Sequence, residues 1–215
     1  TFMVQEVQIR CKNNKKSINI PIGSTLWDAY VALKLEMPYG PVSAKVNNKV
    51  EGLHYRFYNA KDVEFLDLTS PSGMRTYTRS LFFVLVKATK DLFPDSSIKI
   101  EMPISRGYYC DLRIGRPLTD KDAQDIEQRM REIVNQDIPF HRIQSPTEEA
   151  IELFRSKGML SKVKLLESSG TIYTHYYKLQ DTVNYFYGSL LPSTGGLKVF
   201  GVIRYYDGLL LRIPS

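Results

Sequence analysis

Hydrophobic and polar residues alternate along the first third of the chain in the manner of short β-strands. Four segments carry this two-residue period: VQEVQIR, SINIPIG, VSAKVNNKVE and DVEFLDL. Between the second and the third, apolar residues recur at helical spacing after Ser24 and Thr25, either of which can cap a helix. A hairpin, one helix, a second short hairpin and a closing strand are the order of a β-grasp domain. The sequence therefore predicts such a domain over residues 1–68.

The pattern changes at TSPSG, residues 69–73, where Pro and Gly interrupt the alternation and predict a linker. Three helices are expected beyond it: residues 73–93, residues 119–136 capped by Thr119, and a short helix with Ser145 as its cap and Pro146 at its first position. The other segments are strand-like: SIKIEMPIS, GYYCDLRIG, FHRIQS, SKVKLLES, IYTHYYKLQ, LKVFGVIRYYDG and LLLRI. The chain is thus predicted to be α+β, with helices on an antiparallel sheet over residues 69–215.

The composition is that of a folded protein with a basic surface. Of 215 residues, 43% are hydrophobic and 12% aromatic, which is enough for a core. The formal net charge of +6 is spread over the chain, so it permits RNA or a nucleotide as a partner without requiring one. The densest basic cluster, at Lys12, Lys15 and Lys16, favours a polar hairpin tip over a nucleic-acid contact.

Cysteine usage and hydropathy narrow the setting of the chain. Cys11 and Cys110 give neither a disulfide framework nor metal-ligand spacing, and a reducing cytoplasm is the expected compartment. The chain has no run of about 18 apolar residues and no apparent signal sequence, so no membrane association is expected. The start at Thr1 and the final RIPS suggest a segment of a longer protein.

Candidate chemistry is sparse. His54, His141 and His175 lie too far apart in sequence to form a motif, and each is expected on a surface or a strand. Cys110 would need one of the later histidines nearby to act as a nucleophile. GSLLPSTGGLK lacks the G-x-x-x-x-G-K-[ST] signature, and the chain contains no such P-loop, so a complete P-loop kinase is excluded. We expect no catalytic residue, no metal site and no cofactor in this chain.

One lysine, Lys87, stands within the apolar run of the long helix, one turn after Phe83. Its four-carbon stem favours a side chain that reaches outward with its ammonium in water. Two alternatives remain open: an ion pair with a buried acid, or contact with a ligand phosphate. Lys87 is therefore the candidate ligand contact of the helix.

Two parts of the chain carry a family resemblance. SINIPIGSTLWDAYVAL with the following VSAKVNNKVEGLHYRFYNAKDVEFLDL resembles a TGS domain, the β-grasp module of threonyl-tRNA synthetases. RGYYCDLRIGRPLTDKDAQDIEQRMREIV and SPTEEAIELFRSKGMLSKVKLLES resemble the second additional, editing domain of those enzymes. The same pair of domains also precedes a P-loop kinase domain in certain bacterial uridine-kinase-like proteins, whose N-terminal region this chain resembles most.

In the synthetases, this second domain hydrolyses mischarged tRNA with a His-x-x-x-His pair on the long helix and a later Cys-x-x-x-His pair. The resemblance places these ligands at Phe83 and Lys87, and at Phe186 and Leu190. None of the four residues present is a ligand of the family set, and phenylalanine and leucine can neither bind a metal nor act as a base. The resemblance therefore implies a degenerate editing pocket, packed shut or narrowed by apolar side chains.

The resemblance implies a non-catalytic module that binds a ligand or RNA, or that regulates a larger uridine-kinase-like protein. Its partners would be RNA, a nucleotide or its own C-terminal kinase domain, and the full-length protein would be a phosphotransferase. The alternative is a free-standing tRNA-binding or trans-editing relative of threonyl-tRNA synthetase. Bound zinc or hydrolysis of mischarged tRNA would favour trans-editing.

Overall fold

The computed structural model describes residues 4–214; Thr1 to Met3 and Ser215, on which the expectation about the chain ends partly rests, lie outside the described residues. Within that range the protein is α+β, with five α-helices and three sheets. The helices are α1 Leu26–Leu33, α2 Pro71–Leu92, α3 Asp120–Asn135, α4 Thr147–Ser156 and α5 Leu160–Ser168.

The described part of the chain contains twelve strands. The first five are β1 Glu6–Cys11, β2 Ser17–Pro21, β3 Ser43–Val46, β4 Lys49–Glu51 and β5 Lys61–Leu66. The others are β6 Ser97–Ile104, β7 Gly107–Arg113, β8 His141–Pro146, β9 Tyr173–Leu179, β10 Thr182–Asn184, β11 Gly201–Tyr205 and β12 Gly208–Arg212. Among the described residues, one 3₁₀ turn, Thr194–Gly196, lies within GSLLPSTGGLK.

The first sheet has the strand order β2-β1-β5-β3-β4, with β1 and β5 parallel and the other pairs antiparallel. The predicted turn between β3 and β4 is present, with Asn47 and Asn48 both at positive φ. Helix α1 begins with a capping box between Thr25 and Asp28. The helix and the strands enclose a core of their own, which includes Ile9, Leu26, Leu53, Phe57 and Val63.

The segment expected to be a linker is instead the start of a helix. Ser70 caps α2 by accepting a hydrogen bond from the Gly73 N–H, and Pro71 takes the first helical position. Gly73 is buried, and a Cβ there would lie 1.9 Å from the Asp67 carbonyl oxygen. This close approach holds the first turn of α2 against the end of β5.

Helix α2 crosses the largest core of the protein. The antiparallel sheet β11-β12-β7-β6 forms one part of this core, and α3 packs against both α2 and β11. Thr119 caps α3 as predicted, and Asp122 in its first turn is buried and pairs with Arg116. The Arg116 guanidinium beside Asp122 holds the pKa of that carboxyl well below its usual range.

The third sheet, β10-β9-β8, is antiparallel and carries α4 and α5 on one face. Two predictions are wrong here. SKVKLLES forms helix α5 rather than a strand, because Val163 and Leu166 pack at helical spacing in the cluster around Phe154. Ser145 and Pro146 end β8, so Ser145 does not cap α4, whose N-terminus has no side-chain cap.

Candidate functional site

The structure brings three of the four predicted editing positions together in the main core. Phe83 is fully buried, and its ring lies 5.7 Å from that of Phe186 and 5.8 Å from that of Phe140, centroid to centroid. Leu190 is buried in the same cluster. These side chains fill the space with carbon atoms. Their correspondence to the editing ligands remains a prediction.

Lys87 does not reach out to solvent, and this expectation is wrong. Its side chain is only 3% exposed, and its Nζ lies 3.2 Å from Asp91 and 3.1 Å from Asp181. Arg129 also donates two hydrogen bonds to Asp91. Because Lys87 donates to Asp181, the pKa of that carboxyl is lowered. Lys87 is thus held in an ion-pair network, as in the first of the two alternatives, except that Asp91 is only partly buried and Asp181 is exposed.

The three histidines, which are far apart in sequence, line one cavity of about 380 Å³. His54 and Arg56 come from the segment between β4 and β5, whereas the rest of the lining comes from Phe140 just before β8, from β8 and β9, and from the segment after β10. The full lining is His54, Arg56, Phe140, His141, Arg142, Gln144, His175, Tyr177, Leu190, Leu191 and Pro192. Sequence reasoning treated each histidine alone and missed this cavity.

Strand register explains the polar wall of the cavity. Arg142 pairs with Tyr177 and Gln144 with His175 across the β8–β9 ladder. Directly paired residues share a face of a sheet, and so do residues two apart along a strand. These four side chains therefore stand on one face, while Tyr176 on the other face packs against Phe154 of α4. The polar alternation of Arg142 and Gln144 with Ile143 was the signal that could have found this wall.

Side chains of helix α2 hold the segment 188–191, whose Leu190 and Leu191 belong to the apolar part of the lining. Arg79 donates to the Ser189 carbonyl at 3.0 Å, and the Ser80 hydroxyl accepts the Leu191 N–H at 2.8 Å. Tyr177 donates to the Gly188 carbonyl at 3.2 Å. Gly188 has φ +133°, and a Cβ there would lie 2.6 Å from the Arg79 guanidinium carbon. Glycine at this position thus allows Arg79 to reach the loop.

The charged side chains that line the cavity are all basic. Its lining contains two arginines and three histidines but no carboxylate. Partial desolvation lowers the pKa of His54, and Arg142 and His175 lower it further. Desolvation and Arg142 likewise lower the pKa of His175. The folded protein therefore holds these two imidazoles in their neutral form more readily than an unfolded chain does.

This arrangement predicts that the protein loses stability in mild acid. His54 and His175 have pKa values in the folded protein below the reference value of 6.5 for an unfolded chain. As the pH falls below 6.5, the unfolded chain therefore binds more protons than the folded protein does. The free energy of unfolding decreases until the pH has passed the folded-state pKa values. Thermal melts of the parent should show a lower melting temperature at about pH 5.5 than at about pH 7.5. The double variant His54→Gln/His175→Gln should lose less over that range. An equal loss in both proteins would contradict the assignment.

The described residues form neither a cysteine nucleophile nor a metal site. Cys110 is fully buried on β7, and burial raises the pKa of its thiol to about 12, so it does not form the thiolate that a nucleophile requires. Residues 4–214 contain no group of three or more His, Cys, Asp or Glu side chains placed to hold a metal ion. None of the described helices is long and apolar enough to cross a membrane.

Comparison with known proteins gives one consistent result. No family model matches the chain. It is 30% identical over 178 residues to the threonine–tRNA ligase of Desulforamulus reducens, a match that covers 82% of this chain and 28% of the ligase. The ligase of Marinobacter nauticus is 29% identical, with 87% and 31% covered, and threonine–tRNA ligase 2 of Bacillus subtilis is 28% identical, with 86% and 29% covered.

The matched region covers more than four-fifths of this chain but less than a third of each of these three ligases. These relatives bear out the resemblance to threonyl-tRNA synthetases that the sequence motifs indicated. Over about four-fifths of its length, the chain is related to a part of threonine–tRNA ligases.

Proposed function

We propose that this chain is a tRNA-binding module related to threonine–tRNA ligase that lacks hydrolytic activity. The observation that carries the proposal is the match to threonine–tRNA ligases over 82% of the chain. Phe83, Phe186 and Leu190 fill a core at the positions where the resemblance puts editing ligands, and Lys87 is engaged by two carboxylates. A hydrolytic water would have neither a metal nor a base at these positions.

We also propose that residues 1–68 form a TGS domain of β-grasp type and residues 69–215 a degenerate editing domain. The mixed sheet with its parallel β1–β5 pair and the single helix α1 supports the first assignment. The separate core of that part supports the boundary. Val42 of the first part nevertheless belongs to the main core together with residues of α2, so the two domains would share apolar packing.

The sequence-based interpretation favoured a regulatory module of a uridine-kinase-like protein. The relatives described above are ligases, and they support the alternative, a relative of threonyl-tRNA synthetase, better than a kinase fusion. The two remain separable by experiment. An open reading frame that continues beyond Ser215 into G-x-x-x-x-G-K-[ST] would restore the kinase interpretation.

Fluorescence anisotropy with a labelled threonine tRNA tests the proposal directly. We expect saturable binding that weakens steeply with added salt, because basic side chains displace counterions from the phosphates. A DNA duplex of equal charge should bind more weakly if the shape of tRNA is recognised. The same preparation should deacylate mischarged tRNA no faster than the tRNA hydrolyses spontaneously. No tRNA binding at low salt would refute the binding part, and deacylation would refute the non-catalytic part.

A further inference from the structure

We propose that the cavity lined by His54, Arg56, Arg142, His175 and Tyr177 binds the phosphate of a nucleotide. Its lining combines residues of the β4–β5 segment with residues on the polar face of the β8–β9 ladder. The inference goes beyond the proposed tRNA function and does not rest on it, because it follows from the charge and shape of this cavity alone.

Arg56 and Arg142 supply the positive charge of the cavity. Arg56 donates to the Gly23 carbonyl at 2.7 Å, and a guanidinium has five N–H donors, so most of its donors are available to a ligand. In residues 4–214, neither Arg56 nor Arg142 forms a salt bridge. Two guanidinium groups without acidic partners at one cavity suit an anion, and their planar forks match phosphate oxygens.

His54 and His175 add imidazole groups to the same lining. His54 and His175 stand close enough for each to feel the charge of Arg142, and both are neutral more readily than an ordinary histidine. A neutral imidazole still donates one N–H to a phosphate oxygen. A bound anion would raise the pKa of both imidazoles, because it stabilises their protonated forms next to Arg142. The histidines therefore add donors to the arginines without requiring a permanent cluster of positive charge.

The apolar residues of the lining favour a nucleotide over a simple anion. Phe140, Leu190, Leu191 and Pro192 give the cavity an apolar part beside its charged groups. A volume of about 380 Å³ falls within the range of small-ligand pockets, and such pockets combine apolar walls with a few polar groups that fix orientation. A nucleotide offers both parts: a phosphate for the arginines and a ribose or base for the apolar wall.

Isothermal titration with AMP and UMP tests the inference, with adenosine, uridine and inorganic phosphate as partial ligands. We expect one nucleotide to bind per chain, with adenosine, uridine and inorganic phosphate each binding more weakly than the matching nucleotide. Arg142→Gln and Arg56→Gln should each weaken AMP binding about tenfold or more, since each removes charge-assisted hydrogen bonds. Both residues are exposed, and circular dichroism melts would verify that the variants fold.

Arg106→Gln is the matched control. It removes the same charge from the exposed turn between β6 and β7, outside the cavity lining, and should leave the affinity unchanged. Absence of saturable nucleotide binding would overturn the proposal. So would an equal loss in Arg106→Gln, which would indicate diffuse attraction, or inorganic phosphate binding as tightly as AMP. A short single-stranded RNA that displaces AMP would assign the site to an RNA end, and lack of competition would assign it to a free nucleotide; both results retain a nucleotide site. The tRNA assay is separate, so either proposal can fail alone.

Discussion

Replacing Phe83 with alanine is expected to destabilise the protein by about 3–5 kcal/mol, the range usual for a buried phenylalanine. The ring is fully buried and lies between Phe140 and Phe186, so its removal loses both contacts and leaves a cavity. The neighbouring side chains sit on α2, on the residue before β8 and in the segment after β10, three parts of the chain that cannot easily collapse together. The cost should therefore lie in this range rather than below it.

Phe82→Ala is the control for this experiment. Phe82 is only partly buried, and its ring meets Tyr108 edge-on at 4.8 Å, so its loss should cost clearly less. Urea denaturation of the parent and both variants gives the comparison, provided that the slope of the transition is unchanged. A Phe83→Ala protein as stable as the parent would show that the space around Phe83 is open to water, and the packed core described above would be wrong.

The spacing of apolar and polar residues along the chain predicted much of the α+β fold. The strands β1, β2 and β5 alternate with the two-residue period of half-buried sheets, and α3 carries both its cap residue and its apolar stripe in sequence. Such signals depend only on neighbours along the chain. They fail where tertiary contacts decide, as at α5, whose apolar residues also fit a strand and become helical by packing against Phe154.

The cavity could not be predicted, because its polar lining comes from segments more than 80 residues apart. His54 and Arg56 precede β5, whereas Arg142 and His175 stand on β8 and β9. Sequence spacing carries information about a site only when one helix or one loop supplies the residues. The same limit applies to the ion pairs of Lys87. Asp91 lies one helical turn away, so its pairing with Lys87 could be predicted from sequence spacing, whereas the pairing with the distant Asp181 could not.

Asp91→Asn is expected to destabilise the protein by about 2–3 kcal/mol, whereas Lys87→Met should change stability by less than about 1 kcal/mol. Asp91 and Asp181 both accept hydrogen bonds from Lys87, whose side chain is 3% exposed. Without the Asp91 carboxylate, the buried ammonium keeps only Asp181, whose side chain is 81% exposed. That remaining partner should hold the cost below the roughly 3–5 kcal/mol typical of an abandoned buried charge.

Replacing Lys87 with methionine leaves no buried charge without a partner. Asp91 still accepts two hydrogen bonds from Arg129, at 3.0 and 2.9 Å, and the exposed Asp181 returns to water. Methionine also keeps most of the volume of the lysine stem, so the core stays filled. Chemical denaturation of the two single variants and of Lys87→Met/Asp91→Asn measures the coupling. The double variant should be more stable than Asp91→Asn alone, because it no longer buries an unmatched charge. If Lys87→Met costs as much as Asp91→Asn, the ion pair itself stabilises the fold, and the asymmetry argued from burial is wrong.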